Sequence, residues 1–187
     1  MRRLQAALIS ALDEENTRLL AVADPGILGH GTLTPTIGGT SNAGINIVPN
    51  RAMVAFDRRV VLGETTDEIN AGIVALAERV ANEVSRPGQP ITITSKQLID
   101  VAAFCIEREH PFVQRLEEVS GNTAQIVAFG TNAPQYYPTR PSPNVKAAVV
   151  LGPGSIDQAH QDDEWLALTQ LEAHRNILAK WWGISLD

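Results

Sequence analysis

A helix with β-rich segments on both sides of it constrains the fold of this chain more than any other sequence feature. Thr65-Thr66-Asp67-Glu68 matches a capping box, in which a threonine hydroxyl and a glutamate three residues later satisfy free backbone donors. The apolar residues that follow recur at helical spacing and mark one face: Ile69, Ile73, Leu76, Val80 and Val84. Residues 45–61 before this helix and 91–94 after it have the composition and alternation of strands. The pattern predicts a mixed α/β fold.

Weaker patterns extend this prediction over the rest of the chain. Residues 2–20 predict an amphipathic helix rather than a signal peptide, because Leu4, Leu8 and Leu12 share a stripe and three acids follow. Residues 112–119 predict a helix, and a last helix is predicted to begin near Asp162 and to stop at Gly183. Further strands are predicted at residues 101–106, 123–129 and 145–151.

The composition excludes several classes of protein. The net charge is −6 and no basic cluster stands out, which argues against a nucleic-acid surface. The sequence has no apolar run long enough to span a bilayer, so we expect no membrane partner. The single cysteine, Cys105, leaves no internal disulfide and no multi-cysteine metal site, and it suits a reducing cytoplasm, where we expect the protein to reside.

Two separated blocks of sequence match one family in the same order. The first block contains Gly38-Gly39, Asn46-Ile47-Val48-Pro49-Asn50, Asp57-Arg58-Arg59 and Gly63-Glu64. The second contains Phe129-Gly130-Thr131-Asn132-Ala133, Leu151-Gly152-Pro153-Gly154, Ala159-His160 and Glu164. With these residues the chain resembles the C-terminal part of the acetylornithine deacetylase, succinyl-diaminopimelate desuccinylase and aminoacylase family of two-zinc metallopeptidases. The resemblance implies a ferredoxin-like lid or dimerisation domain without its first strand (residues 1–100), then the C-terminal segment of an α/β catalytic domain (residues 101–187).

The resemblance also implies roles for individual residues. His160 matches the last zinc ligand of the family, although a histidine before a helix is otherwise most often a surface residue. Arg59 matches a lid arginine that holds a substrate carboxylate; the alternative is that it pairs with Asp57 on the same strand face. The remaining positions that match substrate contacts are Asn46, Gly130, Thr131, Gly152 and Gly154.

The rest of the family's metal site has no counterpart in this sequence. The family builds it from a His-x-Asp motif, a bridging aspartate, a Glu-Glu pair that includes the general base, and an acidic residue before the lid. Apart from His160-Gln161-Asp162, whose histidine matches the last ligand, this chain has no His-x-Asp. Its two Glu-Glu pairs, Glu14-Glu15 and Glu117-Glu118, fall on predicted helix surface. Leu62 and Asn132 also depart from residues that are common in the family, a proline and an acid. We expect at most one zinc ligand and no catalytic residue here, where the complete enzyme holds two zinc ions.

Three functional hypotheses remain open at this point. The first is a fragment of a metal-dependent deacylase that acts on an N-acyl amino acid and is inactive alone; residues 151–160 most resemble the acetylornithine deacetylase branch. The second is a non-catalytic ferredoxin-like dimerisation or binding module. The third is one half of a two-chain enzyme. In each case the resemblance implies a homodimer formed through the lid domain.

Overall fold

The structure is a computed structural model that describes residues 1–41, 46–127, 129–136 and 145–186. Contacts divide the chain into two compact units, Met1–Ala103 and Phe104–Asp187. Helices and a small antiparallel sheet make up the regular structure of the described residues, so the mixed α/β class is confirmed. That the units correspond to a lid domain and a catalytic-domain segment stays a prediction.

The first unit has the element order helix, strand, strand, helix. These elements are α1 (Arg2–Leu20), β1 (Thr32–Thr40), β2 (Ala52–Arg59) and α2 (Thr66–Val84). The two strands are antiparallel, with Thr32 opposite Arg59 and Thr40 opposite Ala52. The register shifts between Pro35 and Ile37. A proline has no N–H to donate to a strand ladder, so an irregularity at this place is expected.

The core of the first unit consists of two adjoining apolar clusters. One contains Leu4, Ala11, Val80 and Ala81, and the other contains Leu12, Leu19 and Leu33. Leu76 of α2 packs against both clusters, and Val54 and Phe56 of β2 pack against the second. Helix α1 therefore packs against both strands and against α2, as the predicted apolar stripes of α1 and α2 require.

The capping box predicted for α2 forms with one change in its hydrogen bonds. Thr65 Oγ accepts the Glu68 N–H at 3.3 Å, as expected. The Glu68 carboxylate accepts the Thr65 hydroxyl at 2.7 Å, where a standard capping box would use the Thr65 backbone N–H. Asp67 and Glu68 also place negative charge beside the positive end of the helix dipole.

Replacing the capping threonine tests how much this bond stabilises α2. Thr65→Ala removes the acceptor for the Glu68 N–H and is expected to lower the free energy of unfolding by about 1 kcal/mol. Urea unfolding followed by circular dichroism would measure the change. Thr92→Ala makes the same chemical change at an exposed position outside the helices and serves as the control. Equal effects of the two substitutions would show that Thr65 does not cap the helix.

Several predicted strands are wrong. Residues 91–94, 101–106, 123–127 and 146–151 form no strand in the part of the chain that the structure describes, and residues 128 and 45 of the predicted strands lie outside it. Ile91 and Ile93 nevertheless pack against the first core cluster of α1 and α2. Alternation of apolar and polar residues indicates that one face of a segment is buried, but a strand also needs a second strand to which it is hydrogen-bonded. The sheet of the described residues contains β1 and β2, and these segments do not belong to it.

The second unit contains two helices joined by long irregular segments. These are α3 (Pro111–Ser120) and α4 (Leu168–Trp182), with 3-10 turns at Ala133–Gln135 and Ile156–Gln158 between them. The rings of Phe112 and Trp181 meet edge to face, with centroids 5.5 Å apart. α4 ends at Gly183 in the left-handed conformation, as predicted.

Two other features of the described helices bear on the sequence predictions. The predicted start of α4 near Asp162 is wrong, because Asp162 and Asp163 lie in a turn and the helix begins at Leu168. None of the helices in residues 1–41, 46–127, 129–136 and 145–186 combines the length and the apolar character that crossing a bilayer requires.

Candidate functional site

His160 lies in a loop of the second unit whose backbone is unusual at that residue. The loop follows Gly152-Pro153-Gly154, and Ser155 Oγ accepts the Asp157 N–H at 3.2 Å to begin the 3-10 turn. His160 then has a φ of 61°, the one positive φ at a non-glycine residue among the described residues. Such a conformation costs roughly 1–3 kcal/mol and persists where the surroundings hold it in place.

Two contacts close this loop. The backbone N–H of His160 donates to the Glu164 carboxylate. A side chain at Gly154, which has a φ of 100°, would begin 3.5 Å from the Leu166 Cδ1 atom, so the two ends of the loop lie close together. Residues 154–166 thus return to their starting point and leave His160 exposed at the surface. An exposed imidazole on a closed loop is chemically suited to serve as a metal ligand.

The described residues do not fit a complete metal centre. In residues 1–41, 46–127, 129–136 and 145–186, no group of three or more histidine, cysteine, aspartate or glutamate side chains is placed to hold a metal ion. A catalytic zinc ion uses about three protein ligands. His160 therefore offers one ligand position. In the two Glu-Glu pairs, Glu15 binds Arg18 and Glu117 binds Arg108.

Arg59 is the last residue of β2, and it forms an ion pair with Asp57. This pairing was the predicted alternative to a role in substrate binding. The Arg59 Nε lies 2.8 Å from the Asp57 Oδ2, and the two side chains are 53% and 52% exposed. An ion pair this exposed contributes about 0–1 kcal/mol, so a substrate carboxylate could replace Asp57 at small cost. The observed pair is thus compatible with both readings of Arg59.

Its neighbour Arg58 has a structural role that the sequence patterns did not reveal. The Arg58 side chain is 10% exposed, and its guanidinium lies 2.5 Å from a Glu64 carboxylate oxygen and also donates to the Arg59 carbonyl. A Cβ at Gly31 would come within 2.6 Å of that guanidinium, so a side chain there would make the Arg58 head group shift. Glu64 also accepts the Val61 N–H at 3.0 Å, which fixes the turn between β2 and α2. The sequence signal for this difference was strand alternation, which places the side chains of Arg58 and Arg59 on opposite faces of the sheet.

The other predicted site residues fall into separate places. Gly152 and Gly154 share the loop of His160, whereas Gly130 and Thr131 belong to another stretch of the second unit. Thr131 Oγ accepts the Ala133 N–H at 3.1 Å and so begins the 3-10 turn there. Asn46 is exposed in the first unit, in the turn before β2. Their roles toward a substrate stay predictions.

The first unit also has a charged cleft of about 610 Å³ that none of the predicted site residues lines. Its charged residues are Glu15, Arg18, Arg58, Glu64, Glu68 and Arg79. A hydrogen bond from Arg18 lowers the pKa of Glu15 below its usual value, and the nearby charge of Arg58 adds to this effect. Three acids and three arginines balance, so the cleft presents no net charge that would select a ligand.

Comparison with known proteins decides the family. The sequence model described as Peptidase family M20/M25/M40 matches residues 6–183. The chain belongs to this family. The match includes residues of both units, and it confirms the resemblance seen in the two sequence blocks.

Similar curated proteins within this peptidase family are acetylornithine deacetylases. The enzyme named so in Vibrio vulnificus (strain CMCP6) is 40% identical over 80 residues, which are 43% of this chain and 20% of that protein. One from Vibrio cholerae serotype O1 (strain M66-2) is 39% identical over 72 residues, 38% of this chain and 18% of the relative. One from Erwinia tasmaniensis is 37% identical over 73 residues, 39% of this chain and 18% of the relative. The matched region thus spans about a fifth of each relative.

Proposed function

We propose that this chain is a fragment of a metal-dependent amide hydrolase that removes the acyl group from an N-acyl amino acid. The observation that carries the proposal is the continuous family match over residues 6–183, which includes the closed loop of His160. The relatives named acetylornithine deacetylases support N-acetylornithine as the substrate to test first.

Within this function each unit contributes a different element. His160 supplies one imidazole ligand to a zinc ion, and the other ligands come from outside the described residues. Arg59 exchanges Asp57 for the substrate carboxylate, since a guanidinium binds a carboxylate through two parallel hydrogen bonds. Asn46, Gly130, Thr131, Gly152 and Gly154 border the substrate. Among the described residues we assign none the role of general base.

A chimaeric enzyme tests the proposal directly. In the Vibrio vulnificus acetylornithine deacetylase, which aligns directly with this chain over 80 residues, the region that corresponds to the whole family match would be replaced by residues 6–183. We expect zinc-dependent turnover of N-acetylornithine. A chimaera that folds and binds zinc but does not hydrolyse N-acetylornithine or other N-acyl amino acids would overturn the proposal.

Arg59→Ala in that chimaera tests the carboxylate-binding role. Loss of a charge-assisted bond to the substrate is expected to raise KM about tenfold and to leave kcat nearly unchanged. Arg79→Ala is the matched control, because Arg79 also forms an exposed ion pair, with Glu83 at 3.2 Å. Steady-state kinetics would contradict the role if Arg59→Ala and Arg79→Ala left the same KM.

A second candidate function is a non-catalytic dimerisation or binding module. It is favoured by the finding that the described residues hold no group of three metal-binding side chains. A third, one half of a two-chain enzyme, shares that support. Sedimentation of the chain mixed with a second polypeptide that carries the missing ligands separates them: a complex between the two suits the two-chain enzyme, and no complex suits the module.

A further inference from the structure

The left-handed backbone of His160 needs a contact that holds it, and the loop supplies one. The carboxylate of Glu164, four residues further on, accepts the N–H of His160 itself. The bond is charge-assisted, which makes it stronger than a bond between neutral groups. It acts on the residue whose φ of 61° is otherwise unfavourable for a side chain with a Cβ.

We propose that Glu164 is a positioning residue that holds His160 in the left-handed conformation and so sets the direction of its Cα–Cβ bond, from which the imidazole extends. The φ angle fixes where the Cα–Cβ bond points relative to the loop. A change to the right-handed region would therefore carry the imidazole to a different place. The inference rests on the proposed function, in which that imidazole is a metal ligand, and functional groups require supporting contacts of this kind.

Other polar contacts in the loop act on its neighbouring turn. Ser155 caps the 3-10 turn through the Asp157 N–H, and the Gln161 side chain donates to the Asp157 carbonyl at 3.4 Å. Glu164 is exposed, so it does not hold the loop by filling a core. Its effect on His160 therefore comes through the hydrogen bond, which an amide oxygen can also accept.

Nuclear magnetic resonance on the full 187-residue chain tests the proposal without any metal. The wild type is expected to show a strong nuclear Overhauser effect between the His160 amide and its own Hα, which marks a positive φ, together with slow exchange of that amide. Glu164→Ala is expected to weaken the Overhauser effect and to speed exchange of the His160 amide about tenfold. Glu164→Gln, which keeps an acceptor, should restore them, and the matched control Asp163→Ala should leave them unchanged.

The outcomes separate this proposal from the proposed function. If Glu164→Ala leaves the His160 amide exchange and φ as they are in the wild type, Glu164 does not position His160. If Glu164→Gln fails to restore them, the hydrogen bond is not the cause. The proposed function is tested apart from this by His160→Ala in the chimaera: retained turnover there would reject the ligand role and leave the backbone contact intact.

Discussion

His160→Ala is expected to reduce turnover of N-acetylornithine by the chimaeric enzyme on the order of a thousandfold. A zinc ion contributes several kcal/mol of charge stabilisation in hydrolases, and about 4 kcal/mol corresponds to this factor in rate. Removing one ligand of the set is expected to forfeit a contribution of this size. Zinc content measured on the same samples should fall as well, because the ion loses a ligand.

The matched control for this substitution is His174→Ala. His174 belongs to α4 and is not part of the loop that closes around His160. Steady-state kinetics should give His174→Ala a turnover close to that of the unsubstituted chimaera. Turnover of His160→Ala within tenfold of His174→Ala would show that His160 is not a zinc ligand.

Leu33→Ala is expected to lower the free energy of unfolding of the first unit by about 3 kcal/mol. Leu33 is 1% exposed and joins α1 to the sheet by packing with Leu12 and Leu19. Its N–H is also bonded to the Asn16 side chain at 2.8 Å, which fixes the position of the strand against the helix. Truncation to alanine leaves a cavity that the rigid helix and strand cannot close. Because a domain with a small core has a low total free energy of unfolding, a loss of this size is a large part of it.

The control is Leu98→Ala, the same change at a leucine that is 76% exposed. Its effect should stay within about 0.5 kcal/mol. Urea unfolding followed by circular dichroism measures both variants under identical conditions. Equal midpoints for Leu33→Ala and Leu98→Ala would mean that the two-cluster core does not stabilise the unit as described.

The features that sequence reasoning predicted correctly depend on local interactions. α2 begins after Thr65 because its cap lies within four residues, and α1 follows from one apolar stripe. Gly183 ends α4 because glycine tolerates the left-handed conformation there. Each of these signals is complete within one or two turns of helix, so a single sequence suffices to find it.

The predictions that were wrong or missing concern structure that depends on residues distant in the sequence, or structure that has no sequence pattern of its own. Residues 91–94 have the right alternation and reach the core, yet a strand also depends on a neighbour that alternation does not specify. The acids at 162–163 suggested a helix start, but they form a turn that carries the chain to Glu164. The left-handed conformation of His160 had no sequence signal, because glycine is the residue that normally marks it.

Zinc binding by the purified chain tests the central claim most directly. In the proposed function, this chain supplies one ligand of a metal centre whose other ligands lie outside the described residues. Isothermal titration with zinc should therefore show no stoichiometric binding tighter than about 1 μM, and the chain alone should not hydrolyse N-acetylornithine. Stoichiometric binding tighter than that value, together with turnover of N-acetylornithine by the chain alone, would contradict the account.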